Sequence, residues 1–587
     1  MTELPATISF HTGSWLENAG IVGINRILGN ENCKVSKNQL TVSTNSLTNF
    51  STKYFNYFTN TRCYGKLTRF QRILAFENQL NKWQQDNFES FTDGDLEHLS
   101  KWYRDILKYS IKSNSFKRVY QLINSELDVV EILKSTDKLI KTLEKKNFLS
   151  KNPIDAKNIL HELVPQLIKI IEYFKQEESK KYFPAKTLSY SIINNAWNGV
   201  SFLNPQTKIA DFYEDYQKYF VDPVVDYLSI DHSKDKFICS TCGRPIKSQK
   251  LSYSFINGMG YDISKKTSNA WNFHNDQFIC PICQLMYSCV SAGFNYSMSK
   301  QGIFINNNHS LDELIDSNRL ILESMIREMT AHGNVSPFRA FSTSFEEQLN
   351  SSVRYSVANI QVVTYDHDNY SFTVIPPLAV RVMERATKTE FGKKTNGKNL
   401  LSILYPIGIR QFRGSSYYSI YDEVIRRLFN STNLYSLIYQ LELLLNSQSP
   451  DVRYNTVHLM ALININTIFF QELLDGEERE GVPIMKVNRN ELSRMRGAGV
   501  HVLNNYQREH APEKANALVY KLLQALNSGN AEKFMAILLR VYAGQHQLVP
   551  SNLVNNIDQP EVFKQYALAF IAGLIGSKDE KGVQNHE

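Results

Sequence analysis

The 587-residue chain has no uninterrupted apolar run of 18 residues, the length needed for a membrane-spanning helix. It also has no charged segment followed by an apolar one near its N-terminus, so we expect no secretory leader and a location in the reducing cytoplasm. The most apolar helix candidate, residues 457–470, contains His458, Asn464 and Asn466. These polar residues favour a buried bundle helix, and we expect no membrane partner.

Catalytic motifs are also lacking. There is no Walker loop and no nucleophile–base constellation, so we expect the protein not to be an enzyme. One alternative is a metal-dependent nuclease that uses Asp366, His367 and Asp368, or the Asp231–His232 pair. A turn rich in Asp and Asn explains the first cluster more simply, because such side chains bond their own backbone between two strands.

Cysteine is scarce but concentrated: the chain has seven, and four of them lie within residues 239–283. They form two Cys-x-x-Cys pairs, Cys239/Cys242 and Cys280/Cys283, separated by 37 residues. A tight turn directs the two thiolates of a pair to one point, and a second pair completes a tetrahedral zinc shell. Because four sulfur ligands leave no position for water, the sequence predicts one structural zinc ion.

The residues around the cysteines support two metal-binding turns. Gly243 suits a position with positive φ, and Pro281 presets φ within the second turn. An aromatic–aliphatic dipeptide precedes each pair, Phe237-Ile238 and Phe278-Ile279, so the two arms resemble the paired hairpins of a zinc ribbon. His274, inside the loop, is an alternative ligand for one cysteine.

Hydrophobic periodicity predicts an α+β protein with a mixed N-terminal domain, which contains a helical subdomain and an inserted Cys₄ zinc-ribbon-like module, followed by an all-α C-terminal bundle. The predicted parts are an N-terminal α/β segment (1–66), a helical subdomain (67–180), an α+β core (181–415) with the zinc module at 237–289, a helical connection (416–484) and the bundle (485–587). Helices are predicted over 417–446, 451–474, 489–507, 512–527, 530–543 and 560–575.

The N-terminal helix, Trp15–Leu28, contains two glycines. Ser14 and Glu17 form a candidate capping box at its start. Gly20 and Gly23 each cost about 1 kcal/mol relative to alanine inside a helix, so another backbone must approach closely there. Either a packed helix or a nucleic-acid backbone fits this expectation.

The most basic segment, residues 381–427, has ten Lys and Arg against four acidic residues. Its candidate phosphate-binding residues are Lys388, Lys393, Lys394, Lys398, Arg410 and Arg413. A second group at the C-terminal bundle, Arg489, Arg494, Arg496 and Lys521, is predicted to line a nucleic-acid strand without reading its sequence. A solvated basic face is the simpler alternative for the first group.

The glycine-bearing helix, the segment Trp197-Asn-Gly-Val-Ser-Phe-Leu203, the two cysteine pairs and the helical C-terminus together resemble the CXXC-CXXC large-subunit family of type I-B CRISPR Cascade complexes. The resemblance implies a non-enzymatic subunit that binds PAM-containing duplex DNA and recruits a separate nuclease-helicase. Implied partners are crRNA, target DNA, and the backbone, crRNA 5′-end-capping and small subunits. A stand-alone zinc-ribbon nucleic-acid-binding protein is a further alternative.

The resemblance also implies that the C-terminal bundle, which resembles a small subunit, is translated separately from an internal start. Met485 is the candidate start, because it follows the acidic, glycine-flanked break at residues 475–481. The codons for residues 478–482 can include a GGAG-like ribosome-binding element.

Overall fold

The computed structural model describes residues 5–65, 68–107, 113–258, 278–297, 301–307, 309–332, 339–341, 344, 360–366, 369–391, 398–412, 415–475 and 487–576. The chain forms two compact units. The first comprises residues 1–337 and 362–372, and the second comprises residues 338–361 and 373–587.

The first unit is mostly helical. Its helices are α1 (Trp15–Leu28), α2 (Phe50–Asn60), α3 (Arg62–Gly65), α4 (Phe70–Ala75), α5 (Glu77–Gln85), α6 (Asp93–Ile106), α7 (Asn114–Tyr120), α8 (Val129–Leu143), α9 (Phe148–Lys151), α10 (Pro153–Lys175), α11 (Glu177–Leu188), α12 (Asn194–Ala196), α13 (Phe212–Tyr216), α14 (Asp222–Leu228), α15 (Pro281–Ser288), α16 (Val290–Gly293) and α17 (Leu311–His332).

Small sheets accompany these helices. The strands are β1 (Thr7–His11), β2 (Cys33–Ser36), β3 (Gln39–Ser43), β4 (Phe237–Ile238), β5 (Pro245–Ile246), β6 (Asn295–Tyr296), β7 (Gly302–Asn306), β8 (Gln361–Asp366) and β9 (Asn369–Val374). They form an antiparallel sheet of order β1-β3-β2, a β4-β5 hairpin and a sheet of order β6-β7-β8-β9.

The second unit contains the remaining elements: α18 (Pro377–Lys388), α19 (Ile420–Phe429), α20 (Tyr435–Asn446), α21 (Thr456–Asp475), α22 (Arg489–Arg508), α23 (Pro512–Asn527), α24 (Ala531–Gly544), α25 (Ser551–Val554) and α26 (Pro560–Ile575), with the hairpin β10 (Gly408–Phe412) and β11 (Ser415–Ser419). The α+β class with a helical C-terminal region is therefore confirmed.

Helix α1 begins and packs as its sequence indicates. Glu17 accepts a hydrogen bond from the Ser14 backbone N–H at 2.8 Å, which completes the predicted capping box. A methyl group added at Gly23 would lie 2.0 Å from the Cys289 carbonyl oxygen, and one added at Gly293 would lie 2.0 Å from the Ala19 carbonyl oxygen. The glycines thus serve helix packing against α15 and α16, and the nucleic-acid alternative for Gly20 and Gly23 is wrong.

An equivalent contact joins α22 and α26 in the second unit. A methyl group at Gly499 would lie 2.0 Å from the Phe570 carbonyl oxygen, and one at Gly573 would lie 2.0 Å from the Arg496 carbonyl oxygen. Helix α26 also packs against α20, α21 and α23. The last helix is therefore the centre of the C-terminal core.

The predicted helix over residues 417–446 needs two corrections. Residues 417–419 belong to β11 and pair with residues 408–410. The helical segment is also interrupted between α19 and α20, where Ser431 adopts a φ of 48°. Left-handed backbone at a residue other than glycine is characteristic of a turn, so the helix does not continue through it.

Helix α21 is long and apolar enough to cross a membrane by length and composition, and it is the one such helix within the described residues. Its apolar window is 72% buried inside the structure. The side chains of Asn464 and Asn466 are buried and bond the Met460 carbonyl and the Leu434 N–H, respectively. This environment agrees with the expectation of a buried bundle helix.

Candidate metal centre

The first cysteine pair lies in the turn of the β4–β5 hairpin. The Gly243 N–H donates to the Cys239 carbonyl at 2.9 Å, and the Cys239 N–H donates to the Arg244 carbonyl at 2.8 Å. Gly243 has a φ of 71°, the left-handed conformation that its sequence position predicts. The turn therefore closes in the way a metal-binding Cys-x-x-Cys turn requires.

The second pair lies at the start of a helix instead of in a second hairpin. Cys280 is the N-cap of α15, and its sulfur accepts from the Cys283 N–H at 3.4 Å. Pro281 occupies the first helical position, where its missing N–H costs nothing and its fixed φ suits the helix. The expectation of paired hairpins thus holds for one arm only, although the predicted ligands stay in place.

The four sulfur atoms of Cys239, Cys242, Cys280 and Cys283 all lie within 4.8 Å of one another. The Cys242 and Cys280 sulfurs are 3.6 Å apart, too far for a disulfide and close to the separation of about 3.8 Å that tetrahedral zinc with 2.3 Å bonds requires. The cluster is therefore compatible with a structural metal such as zinc. His274, the alternative ligand, lies outside the described residues.

The electrostatics of the cluster also favour a cation. Hydrogen bonds among the sulfurs lower the pKa of Cys239 and raise the pKa of Cys283, because neighbouring thiols cannot all carry negative charge side by side. A bound divalent cation removes this conflict by allowing all four groups to be thiolates. Cys239, Cys280 and Cys283 are buried whereas Cys242 is exposed, so a bound ion would be shielded on its inner side.

Helix α15 connects the cluster to the core of the first unit. The Ser288 carbonyl accepts hydrogen bonds from Trp197 Nε1 at 2.9 Å and from the Tyr54 hydroxyl at 3.2 Å. The Ser288 hydroxyl lies 2.7 Å from the Tyr216 hydroxyl. Two of the segments that carried the family resemblance, α1 and Trp197, therefore meet on the helix that holds the second cysteine pair.

Arg26 is a residue that the sequence analysis missed. Its guanidinium donates five hydrogen bonds: to the carbonyls of Ala292, Gly293, Phe294 and Asn318 and to the Asn295 side chain. It thus satisfies the carbonyl groups at the end of α16. A basic residue in the last turn of a helix ordinarily interacts with the end of its own helix. Only the tertiary structure shows that Arg26 instead bonds the end of α16.

The predicted nucleic-acid-binding residues fall into several environments. Lys398 and Arg410 are exposed, and so are Arg494 and Lys521. Lys388 forms an ion pair with Glu384 at 2.5 Å, and Arg496 donates to the Thr456 hydroxyl. The predicted residues Lys393, Lys394 and Arg413, as well as Met485, lie outside the described residues.

The structure brings parts of the two basic groups together. Arg489 donates to the Glu390 carbonyl and stacks over the Phe391 ring, with 5.1 Å between the guanidinium carbon and the ring centroid. The Phe391 N–H in turn donates to the Lys398 carbonyl at 2.9 Å. Arg489 therefore contacts the residues just before the 392–397 gap, and its predicted place along a nucleic-acid strand stays a prediction.

The residues of the nuclease alternative have other partners. The two ring nitrogens of His232 lie 2.6 Å from the Asp235 carboxylate and 2.7 Å from the Tyr227 carbonyl, and Asp231 accepts from Ser233. Asp366 ends β8 and Asn369 begins β9, which places their connection where a turn was predicted. His367 and Asp368 lie outside the described residues. Within the part of the chain that the structure describes, the four cysteines are the one cluster suited to a metal.

Comparison with known proteins gives one similarity. Residues 232–295, which contain all four cysteines, match a family model described as CRISPR-associated protein (Cas_CXXC_CXXC). This match supports an assignment to the CRISPR-associated proteins. No curated protein and no solved structure matches the chain.

Proposed function

We propose that the protein is the non-catalytic large subunit of a type I-B CRISPR interference complex. In this role it binds PAM-containing duplex DNA within the crRNA-guided assembly and recruits a separate nuclease-helicase. The observation that carries the proposal is the match of residues 232–295 to a CRISPR-associated family, combined with a four-cysteine cluster of metal-binding geometry. Base pairing reads the target sequence in such complexes, so the protein needs short duplex contacts and basic surfaces.

The second unit offers candidate basic surfaces. Lys398 and Arg410 are exposed members of the basic segment 381–427, and Arg494 and Lys521 are exposed on α22 and α23. Lysine and arginine on an open surface bind phosphates through charge and carry no sequence information. This pattern fits a subunit that holds a nucleic-acid backbone while its partners read the sequence.

Co-purification tests the proposal directly. The tagged protein, expressed with the neighbouring genes of its locus, should isolate together with backbone subunits and a crRNA, and this assembly should bind duplex DNA that contains the PAM. The assembly should cleave DNA only after the nuclease-helicase is added. Cleavage by the isolated protein with a divalent metal would instead support the nuclease alternative, and isolation without crRNA would support a stand-alone nucleic-acid-binding protein.

We further propose that the C-terminal bundle is also made separately from Met485. Because α26 packs against α20 and α21, a product that begins at residue 485 would lack this cover. Gln565, which is fully buried and lies within hydrogen-bonding distance of Tyr435 and Thr467, would become exposed. We therefore expect the separate bundle to be stable only when docked on another subunit.

The intact gene with a C-terminal tag tests this second proposal. Expression should give, besides the full-length protein, a product of about 11 kDa plus the mass of the tag, at ~110 Da per residue. Synonymous recoding of codons 478–482 together with Met485→Ala should abolish the short product and leave the full-length protein. A single full-length band before recoding would show that the bundle serves only as a domain of the large subunit.

A further inference from the structure

The same apolar dipeptide has opposite environments in the two arms of the cysteine cluster. In the second arm, Phe278 and Ile279 are 8% and 1% exposed. Phe278 pairs with Ser252 in an isolated bridge, and the Ile279 N–H donates to the Leu251 carbonyl. In the first arm, Phe237 and Ile238 are 38% and 66% exposed. Packing explains the apolar residues of the second arm and leaves those of the first arm unexplained.

The hairpin geometry shows why the first pair stays exposed. Strand β4 pairs only with β5 among the described strands, and successive side chains of a strand point to opposite faces. Ile246, which pairs with Phe237 and shares its face, is 4% exposed, so that face is covered in part, whereas the face of Ile238 is open. The two side chains lie directly before the turn that carries Cys239 and Cys242, which two backbone hydrogen bonds close.

Four exposed lysines flank the two strands of the hairpin in sequence: Lys234 and Lys236 come before Phe237, and Lys247 and Lys250 come after Ile246, the residue that pairs with Phe237. Among the described residues, no hydrogen bond or ion pair involves their ammonium groups. The two nearby acidic residues are occupied, since Asp231 accepts from Ser233 and Asp235 lies 2.6 Å from His232 Nδ1. The hairpin therefore carries exposed apolar side chains between lysines whose charges no described acidic side chain neutralises.

We propose that residues 234–250, the knuckle hairpin, bind a nucleic-acid strand with unpaired bases. Phe237 stacks on a base, Ile238 contacts a neighbouring base, and the four lysines contact phosphates. Aromatic stacking within a basic groove is how proteins hold single strands, whereas lysine is depleted at protein–protein interfaces. This inference rests on the proposed function and adds to it the surface and the form of nucleic acid that the surface takes.

Binding of the full-length protein to a fluorescein-labelled 20-nucleotide single-stranded DNA tests the inference, with the duplex of the same sequence as comparison. Phe237→Ala combined with Ile238→Ala should weaken single-strand binding roughly 10-fold, because the base that stacks on Phe237 loses its aromatic partner. Replacing the four lysines with glutamine should instead lower the slope of log K against log salt, by about 0.7 for each phosphate that the protein no longer neutralises.

Matched controls come from the helical part of the same unit. Ile154 is 77% exposed on α10, and Lys134 and Lys138 are exposed on α8. Ile154→Ala should leave the affinity unchanged, and Lys134→Gln with Lys138→Gln should leave the salt slope unchanged. Metal content and melting temperature of every variant should equal those of the unaltered protein, because each substitution lies on the surface.

The outcomes separate the inference from the function on which it rests. If the unaltered protein binds the single strand and the hairpin variants bind it equally well, the inference alone is overturned. The same holds if the control variants lose as much affinity as the hairpin variants. Hairpin variants that lose only duplex binding, or only binding to phosphatidylserine-containing vesicles, also overturn it. Failure of the unaltered protein and its assembled complex to bind any nucleic acid overturns the proposed function as well.

Discussion

Each unit contains a helix crossing at which glycines allow the two backbones to approach closely. The two crossings differ in the contacts that surround them. In the first crossing, α1 packs against α15–α16 through Gly23 and Gly293; in the second, α22 packs against α26 through Gly499 and Gly573. A methyl group added at any of these four glycines would lie 2.0 Å from a backbone carbonyl oxygen of the opposite segment. In both units, therefore, close backbone approach requires glycine on each partner.

The supports around the crossings differ. The cysteine cluster holds the start of α15, and the five hydrogen bonds of Arg26 hold the end of α16. The second crossing has no cysteine cluster within the described residues. On α20, which packs against α26, both carboxylate oxygens of the fully buried Glu442 lack a hydrogen-bond partner among the described residues. The comparison teaches that a metal-compatible cluster and a capping arginine adjoin the first crossing, whereas the second combines close packing with the hydrogen bond from Tyr566 to Glu491.

The largest expected effect follows from removing the metal or a ligand. Cys280→Ser should release the metal and unfold the module, since the binding free energy of a closed site is folding free energy. Hydrogen exchange read by mass spectrometry should accelerate in α1 and α15 and stay unchanged in α22 and α26. Elemental analysis should show one zinc per unaltered chain, and protein purified without chelator that contains no zinc would contradict the assignment.

The glycine substitutions should have the next largest effect and should be equal in the two units. Gly23→Ala and Gly499→Ala each force a methyl group against a backbone carbonyl, which should lower the free energy of unfolding by about 3 kcal/mol. Urea unfolding measures the loss, and hydrogen exchange identifies the unit concerned. A tolerated Gly23→Ala beside a damaging Gly499→Ala would show that the metal support compensates for poor packing.

Glu442→Gln should change the pH dependence of the second unit. Burial raises the pKa of Glu442 well above its ordinary value of 4.5, so the native state keeps a proton that the unfolded chain releases. Stability therefore falls as pH rises from about 4.5 towards the native pKa, by about 1.4 kcal/mol per pH unit. Urea midpoints measured between pH 5 and 8 should show this loss in the unaltered protein and not in Glu442→Gln, while the exposed Glu532→Gln should retain it.

The smallest effect is expected at Gly497, two residues from the second crossing. A methyl group there would have no neighbour within 4 Å, so the packing argument does not apply. Gly497→Ala should raise the free energy of unfolding by about 0.5–1 kcal/mol, because alanine is the better helix former. Destabilisation by this variant would indicate that a close contact, and not helix propensity, governs the glycine at this position of α22.

Much of the first unit follows from local sequence signals. The bounds of α1 and its capping box come from residues within one turn, and the left-handed φ of Gly243 comes from the turn chemistry of a single cysteine pair. The spacing of the four cysteines predicts their convergence because one metal requires it. Local sequence patterns therefore predict the structure where the residues in contact are close in sequence, or where distant residues are ligands of one ion.

Partners that lie far apart in sequence were not predictable. Nothing around Arg26 indicates that it ends a helix at residue 293, and nothing distinguishes Phe237-Ile238 from Phe278-Ile279 before burial is known. The aromatic residues at 415–419 suit either a helix or a strand, and only pairing with β10 selects the strand. In each case the local conformation or burial depends on residues that are distant in sequence.

The Arg26 contacts also set an order of events during synthesis. Arg26 and the Ala292 carbonyl are 266 residues apart, so α1 can pack early against α2 but cannot contact α16 until that much more chain has left the ribosome. At about 5–20 residues per second, this takes roughly 10–50 s. The second crossing closes within a far shorter span, since Tyr566 and Glu491 on its two helices are 75 residues apart. Helix α1 therefore waits longer for α15 and α16 than α22 waits for α26, and the face of α1 that packs on them is the surface that a nascent-chain chaperone would need to protect.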